Sequence, residues 1–259
     1  MQTALVTCHS SVSALWQPGQ PLAPAPDTVS VFRMPLPTEA ATVALWATLL
    51  QPAERERADR FRFTADQHRF VVGRGLFRLL AGVFSGQNPA EIRIDTGTTG
   101  KPFLPDHPQL HLNISHSGTW IVLAAGRVPV GVDIEFMRAD VDVSDLFSSI
   151  LSPAEQRALV QSPDAQTLFY QFWTRKEALM KATGQGMNDH LMAIPAQEGT
   201  HRTDAGLLGA DGHWRVYPFS VDQGYPAALA LPDGPQTVCF YEIDPACFSR
   251  WCPAHPDES

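Results

Sequence analysis

Hydrophobic positions along this chain change period several times, and each change marks an element. Between about 65 and 85 they recur at Val72, Leu76, Leu79 and Val83, the i, i+4, i+7, i+11 stripe of one helix face, and Asn88-Pro89 closes the segment. Upstream, Thr38 is a fair N-cap for a helix striped by Val43, Leu45, Trp46, Leu49 and Leu50. Pro52 begins a further helical segment, AERERADRFRF. Strand readings surround these helices. TALVTC and VSVFRM read as strands separated by the proline-rich QPGQPLAPAPD, and EIRID alternates as a strand should. In LHLNIS, Leu110, Leu112 and Ile114 share a face; a Ser-Gly-Thr turn then leads into WIVLAAG, which predicts a hairpin.

The second half repeats the mixture. Helices are expected over about 142–149, 153–161 and 164–183, with Ser152 as an N-cap and Pro153 at the first helical position. Weaker strands are expected near 213–219, 226–231 and 237–243. The expected fold is therefore α+β: two similar lobes forming a pseudo-dimer, each a small antiparallel sheet packed with helices, although no internal repeat is legible. The expected division is an N-terminal lobe over 1–126, a C-terminal lobe over 127–245 and a tail over 246–259.

One short strand carries chemistry. In VGVDIE, Val130, Val132 and Ile134 share one face and Gly131, Asp133 and Glu135 the other. Paired carboxylates suit Mg²⁺, which keeps waters and substrate phosphates in the rest of its shell; a solvated acidic edge reads equally well from this segment alone. In FWTRKEALMKATGQGM, Trp173, Glu177 and Lys181 recur every fourth residue near one helix face, and the helix runs into Gly184-Gln185-Gly186, which permits close approach. An exposed Glu–Lys pair has the same spacing. In NISHS, residues 113–117, a histidine and two serines offer donors to phosphate oxygens, or the serines bond their own turn. Lys101, between Gly100 and Pro102, is either a held ammonium or a surface lysine.

Composition narrows the field. At 259 residues, with 44% hydrophobic and 18% charged positions, the chain can bury a sizeable core in one large or two small domains, and its 22 prolines favour loops. A net charge of −8 argues against a general nucleic-acid binder. Yet Arg55, Arg57, Arg60, Arg62, Arg69, Arg74 and Arg78 crowd one stretch, enough for a local anion site. Cys8, Cys239, Cys247 and Cys252 show neither CxxC nor zinc-site spacing, so free thiols in a reducing cytoplasm are expected. The start MQTALVTCHS lacks a signal pattern, and no segment approaches the ~20 apolar residues of a membrane span, so no membrane partner is expected.

Taken in order, residues 100–102 (GKP), 113–117 (NISHS), 131–135 (GVDIE) and 172–186 (with W-x-x-KE-x-x-x-K-x-x-G-x-G) resemble the 4′-phosphopantetheinyl transferases of the surfactin-synthetase-activating type. The likeness is firm over 100–187, looser over 52–80 and weak beyond. It implies an enzyme that moves the phosphopantetheine arm of coenzyme A to a serine of an acyl or peptidyl carrier protein and releases 3′,5′-ADP. It assigns Asp133, Glu135 and Glu177 to Mg²⁺, with Mn²⁺ as an alternative ion. Glu177 would be the base for the serine, directly or through a water, and Lys181 would contact the coenzyme A phosphates and stabilise the leaving group. His116 would contact the 3′-phosphate with Ser115 beside it, and Lys101 and Pro102 would lie near the nucleotide. Arg57, Arg60 and Arg78 fall on basic positions for phosphates; Arg74 is a weaker candidate, and Arg62 and Arg69 are as readily solvated or structural.

The resemblance also implies that Gly131 leaves room for the metal or pyrophosphate. An apolar patch including Phe172 or Met187 would receive the carrier, with core packing the favoured reading of Phe172. Length and two lobes are similar to the monomeric subgroup. Two other readings stand beside it: a non-catalytic coenzyme A or nucleotide-binding module of the same fold, and an unrelated metal-dependent phosphohydrolase. Carriers of fatty-acid, polyketide and nonribosomal peptide biosynthesis fit equally.

Overall fold

The computed structural model describes residues 2–19, 25–138, 147–186 and 190–248. Met187, Cys252, most of the helix expected over 142–149 and residues 249–259 of the expected tail lie outside them. The first half runs β1 (Thr3–Cys8), β2 (Gln17–Pro18), β3 (Thr28–Pro35), α1 (Ala40–Thr48), α2 (Pro52–Asp59), α3 (Thr64–Ser85), β4 (Asp95–Thr96), β5 (Pro102–Phe103), β6 (His111–Ser117) and β7 (Trp120–Gly126). The second runs β8 (Gly131–Ile134), α4 (Phe147–Ile150), α5 (Pro153–Gln161), α6 (Ala165–Thr183), β9 (Gly199–Asp204), α7 (Ala205–Leu208), β10 (His213–Asp222), β11 (Tyr225–Pro232) and β12 (Thr237–Glu242).

Local chemistry explains the boundaries of the main helices. α5 starts in a capping box: Ser152 Oγ accepts from Glu155 N at 3.3 Å, and Ser152 N donates to Glu155 Oε2 at 2.8 Å. α3 and α6 stop on the left-handed glycines Gly86 (φ 74°) and Gly184 (φ 78°), a conformation that costs glycine nothing.

The architecture is α+β with two five-stranded sheets, ordered β8-β11-β10-β1-β9 and β2-β12-β3-β7-β6. Both are mixed rather than wholly antiparallel. β1 pairs in parallel with β10, and β12 in parallel with β3. The two ends of the chain thus trade places: the first strand completes the sheet of the second half, and the last strand completes the sheet of the first. The expected division at 126/127 falls between β7 and β8, but both terminal strands cross it.

The helix-free faces of the two sheets share one core, built by Val29, Val31, Val122 and Ala124 from one and Val132, Ile134, Leu229 and Leu231 from the other. On the far faces, Phe32, Met34 and Leu123 pack under Leu76, Phe77 and Leu80 of α3, while Val6, Ala228 and Ala230 pack under Ala178, Leu179 and Ala182 of α6. The expected strand EIRID pairs only at its last residue, through β4 and β5. Its alternation reports the one-sided burial of Ile92, whose carbonyl accepts from Arg78, and not a ladder.

The sheets also meet edge to edge, at β6 and β8. Here side chains replace the backbone ladder. Asn113 Oδ1 accepts from Val132 N at 2.8 Å, and Ser115 Oγ donates to Asp133 Oδ1 at 2.8 Å. Gly131 lies at this seam because α6 runs directly over it: an added Cβ would stand 2.1 Å from Ala178 O and 2.3 Å from Ala182 N. Close helix packing, not room for a metal or pyrophosphate, is what demands glycine there.

Candidate active site

Three carboxylates gather where β8 meets α6. Asp133 is buried on β8; its Oδ1 accepts from Ser115 Oγ at 2.8 Å and Lys181 Nζ at 2.6 Å. Glu135, just past the strand, accepts from Trp173 Nε1 at 3.1 Å on one oxygen and Ser117 Oγ at 3.0 Å on the other. Glu177 projects from α6, one helical turn from both Trp173 and Lys181. Two buried oxygens, Asp133 Oδ2 and Glu177 Oε1, have no hydrogen-bond partner among the described residues.

Electrostatics follow from this crowding. Burial raises the pKa of Glu177 to about 7; Lys181 pulls it back, while the Asp133 and Glu135 charges push it further up. Burial, then the charge of Asp133, likewise raises Glu135. Burial opposes the charge on Lys181, but Asp133, Glu177 and Glu135 outweigh it and hold the ammonium above its usual range. Among the described residues no three His, Cys, Asp or Glu side chains form a ready metal-ligand set. The donors still suit a hard cation. They are all oxygens, two of them buried and unpartnered, and their like charges repel in a desolvated place.

Two adjoining cavities lie beside this point. One, of about 340 Å³, is lined by Glu177, Lys181, Thr99, Gly184 and Gly186. The other, of about 160 Å³, carries Arg57, Arg69, Arg74, Phe70 and His116. Both share Gly100, Pro102 and Ile114 on their walls, so a run of cations leads toward the carboxylates. Arg57 and Arg74 lie over the Phe70 ring at 5.0 and 6.0 Å. His116 keeps an open face to solvent, yet the packing around its ring, helped by Arg69 and Lys181, lowers its pKa.

Several expected ligands are employed elsewhere. Arg78 is 1% exposed, and its donors are spent on Glu54 Oε2 (2.6 Å), Pro89 O (3.2 Å) and Ile92 O (2.8 Å), so it braces α2 and the 89–92 turn against α3 rather than facing the groove. Arg60 is exposed and pairs with Glu56 at 3.7 Å, away from both cavities. Lys101 lines the groove, but its Nζ donates to the carbonyls of Val130 (3.2 Å), Lys181 (2.5 Å) and Ala182 (3.2 Å). It caps the C-terminal end of α6, where orphan carbonyls need a cation, and burial lowers its pKa to about 8. Ser115 is buried and serves Asp133. Phe172 is core. Ser117, read as a phosphate donor or a turn serine, donates to Glu135 instead, and Arg69, read as solvated or structural, lines the smaller cavity. Asn113 and Phe70 join the site without a role having been given to either; the NISHS strand was the available signal for Asn113, since β6 aims alternate side chains at β8.

A carboxylate trio with a lysine, approached along an arginine-lined groove between two α+β halves, defines a site for a phosphate-bearing ligand. Comparison with known proteins agrees. Residues 129–230 match the model of the 4′-phosphopantetheinyl transferase superfamily, and residues 36–128 match that of the 4′-phosphopantetheinyl transferase N-terminal region. A 4′-phosphopantetheinyl transferase of Bacillus subtilis is 35% identical over 210 residues, 79% of this chain and 82% of the relative. HetI of Nostoc sp. is 34% identical over 179 residues, 66% of this chain and 76% of HetI. Sfp of Bacillus subtilis strain 168 is 31% identical over 214 residues, 81% of this chain and 84% of Sfp. The chain belongs to the 4′-phosphopantetheinyl transferase superfamily and is an enzyme of that type.

Proposed function

We propose that this enzyme transfers the 4′-phosphopantetheine arm of coenzyme A to a serine hydroxyl of an acyl or peptidyl carrier protein, with Mg²⁺ bound at Asp133, Glu135 and Glu177 and 3′,5′-ADP as the other product. The observation that carries the reading is the pair of unpartnered, buried oxygens on Asp133 and Glu177 beside Lys181, at the carboxylate end of an arginine-lined groove. Arg57, Arg69, Arg74 and His116 would hold the coenzyme A phosphates; Gly100, Pro102 and Ile114 would form the wall shared by both cavities. The ion would neutralise charge on the pyrophosphate. Lys181, turning from Asp133 to phosphate, would balance charge on the departing half. In the reaction a bond forms between the serine oxygen and the β-phosphorus, the bridging phosphoanhydride bond breaks, and the serine proton passes to Glu177, directly or through a water. A cation on Glu177 would make it a weaker base than the metal-free carboxylate, whose pKa burial raises to about 7, and a water would then carry the proton.

Incubation with coenzyme A, Mg²⁺ and an apo carrier protein tests the reading. Intact mass of the carrier should rise by one phosphopantetheine moiety, and Asp133→Ala or Glu177→Ala should lower the rate at least ~10²-fold while circular dichroism stays native. Binding of coenzyme A with no mass gain on any carrier would instead favour the non-catalytic module. No described helix is long and apolar enough to cross a membrane. Our reading places the enzyme in the cytoplasm with coenzyme A and the carrier protein as its partners. The two-half architecture supports a monomer, which light scattering would check.

A further inference from the structure

Each of the two carboxylates next to β8 is held by two donors, but the sources differ. Asp133 is held by the buried Ser115 and by Lys181, which lines the groove. Glu135 is held by Ser117 from β6 and by the indole of Trp173 from α6. Glu177 has no such support on Oε1. Trp173 lies four residues before Glu177, so the helix that supplies one carboxylate also ties down another. The indole packs against the cluster of Leu159, Phe169 and Phe172, which fixes its ring, and an indole N–H can only donate. With the ring so placed, the N–H points at Glu135 Oε1, which accepts it at 3.1 Å. Ser117 serves twice, donating to Glu135 Oε2 and accepting from Phe136 N at 3.0 Å, which anchors the other oxygen to the backbone.

We infer that Trp173 is a positioning residue: its N–H orients the Glu135 carboxylate toward the cation and sets its separation from Glu177. The inference rests on the proposed cation role of the three carboxylates. Partners outside the ligand set commonly change metal affinity 10–100-fold when lost, because the ligand must then be oriented at the moment of binding. A purely structural tryptophan would change folding stability without a term specific to Glu135.

The test is Mn²⁺ binding in the presence of coenzyme A, read by depletion of the free-ion resonance signal and by calorimetry, for the wild type, Trp173→Phe, Glu135→Ala and the double variant. Trp173→Phe should weaken Mn²⁺ binding about 10–100-fold, and in the Glu135→Ala background it should add little. Replacement of Trp173 by benzothienylalanine, which keeps the bicyclic shape and lacks the N–H, should reproduce the loss even if the phenylalanine variant folds poorly. Unchanged binding in the benzothienylalanine protein, or an equal loss with and without Glu135, overturns the inference and leaves the cation reading intact. Absence of Mn²⁺ binding by the wild type overturns the cation reading, and this inference with it.

Discussion

At the scale of single residues, Glu54 shows how one carboxylate can decide what its neighbours do. It accepts from Arg78, lies 3.5 Å from Arg74, and caps α2 by accepting from Gln51 N at 3.0 Å. Glu54→Ala leaves the buried Arg78 guanidinium without its counter-charge, and urea unfolding should register a loss of ~3–5 kcal/mol. Arg78→Met should cost stability while coenzyme A affinity of the folded fraction stays near that of the wild type; Arg74→Ala should do the reverse. Glu177 gives a pH signature. Its folded pKa is about 7, above the 4.5 of the free side chain, so the folded metal-free protein holds a proton that the unfolded chain has lost. That contribution is complete below pH 4.5 and fades as pH rises through about 7. In EDTA, the wild type should lose up to ~3 kcal/mol more than Glu177→Gln between pH 4.5 and 8; parallel profiles would refute the assignment. The arginine run was legible as an anion site, but which arginines serve it was not. Arg78 sits on a plausible helix position, and only the fold shows Glu54 and three carbonyls spending its donors.

At the scale of elements, α6 carries two kinds of chemistry on opposite sides. Glu177 and Lys181 face the groove. Their neighbours Arg175 and Lys176 turn inward: Lys176 is fully buried, with Glu155 at 2.9 Å and the carbonyls of Leu191 and Ile194 at 3.0 and 2.5 Å, while Arg175 donates to Ala196 O at 2.6 Å. The inward pair fastens α6 to α5 and to the 191–196 segment, so the adjacent letters of the KE motif divide between support and chemistry. Contact with β8 at Gly131 sets the helix height. Gly131→Ala should lift α6, shift Glu177 and Lys181 relative to Asp133, and lower kcat/KM about 10²-fold through misplacement alone; steady-state kinetics on the soluble variant checks this. α3 and α6 were readable from their helical pattern, and the hairpin from the alternation of β6, the Ser-Gly-Thr turn and the unbroken apolar run of β7, whose two faces are both buried. β9 was not. Its sequence GTHRTD is polar, and it forms as an outer strand beside β1 with mostly half-exposed side chains, which leaves no apolar alternation to detect.

At the scale of the whole molecule, the groove exists only because two halves meet along β6 and β8, with cations from α2 and α3 on one side and carboxylates from β8 and α6 on the other. The two-lobe α+β character was legible from the alternation of element types. The exchange of terminal strands was not, since Leu5 pairs opposite His213, and nothing local in TALVTC names so distant a partner. Deleting residues 2–9 should therefore destabilise the sheet of the second half: hydrogen exchange should speed up in β9 and β10 before it does in β3 or β7. In the undeleted chain, Cys8 offers a chemical reporter of β1 leaving its sheet. It is 2% exposed, and burial raises its thiol to about 11, so alkylation at pH 8 should track departure of β1 rather than titration.

That exchange also bears on how the protein is made. β1 is made before the other described strands, yet its partners β9 and β10 are synthesised about two hundred residues later. The first half cannot finish early either, because β12, which closes its sheet, is made after every other described strand. The first half therefore waits for the second, the nascent chain carries the apolar strand β1 unpaired until β9 and β10 emerge, and folding depends on contacts of long sequence separation.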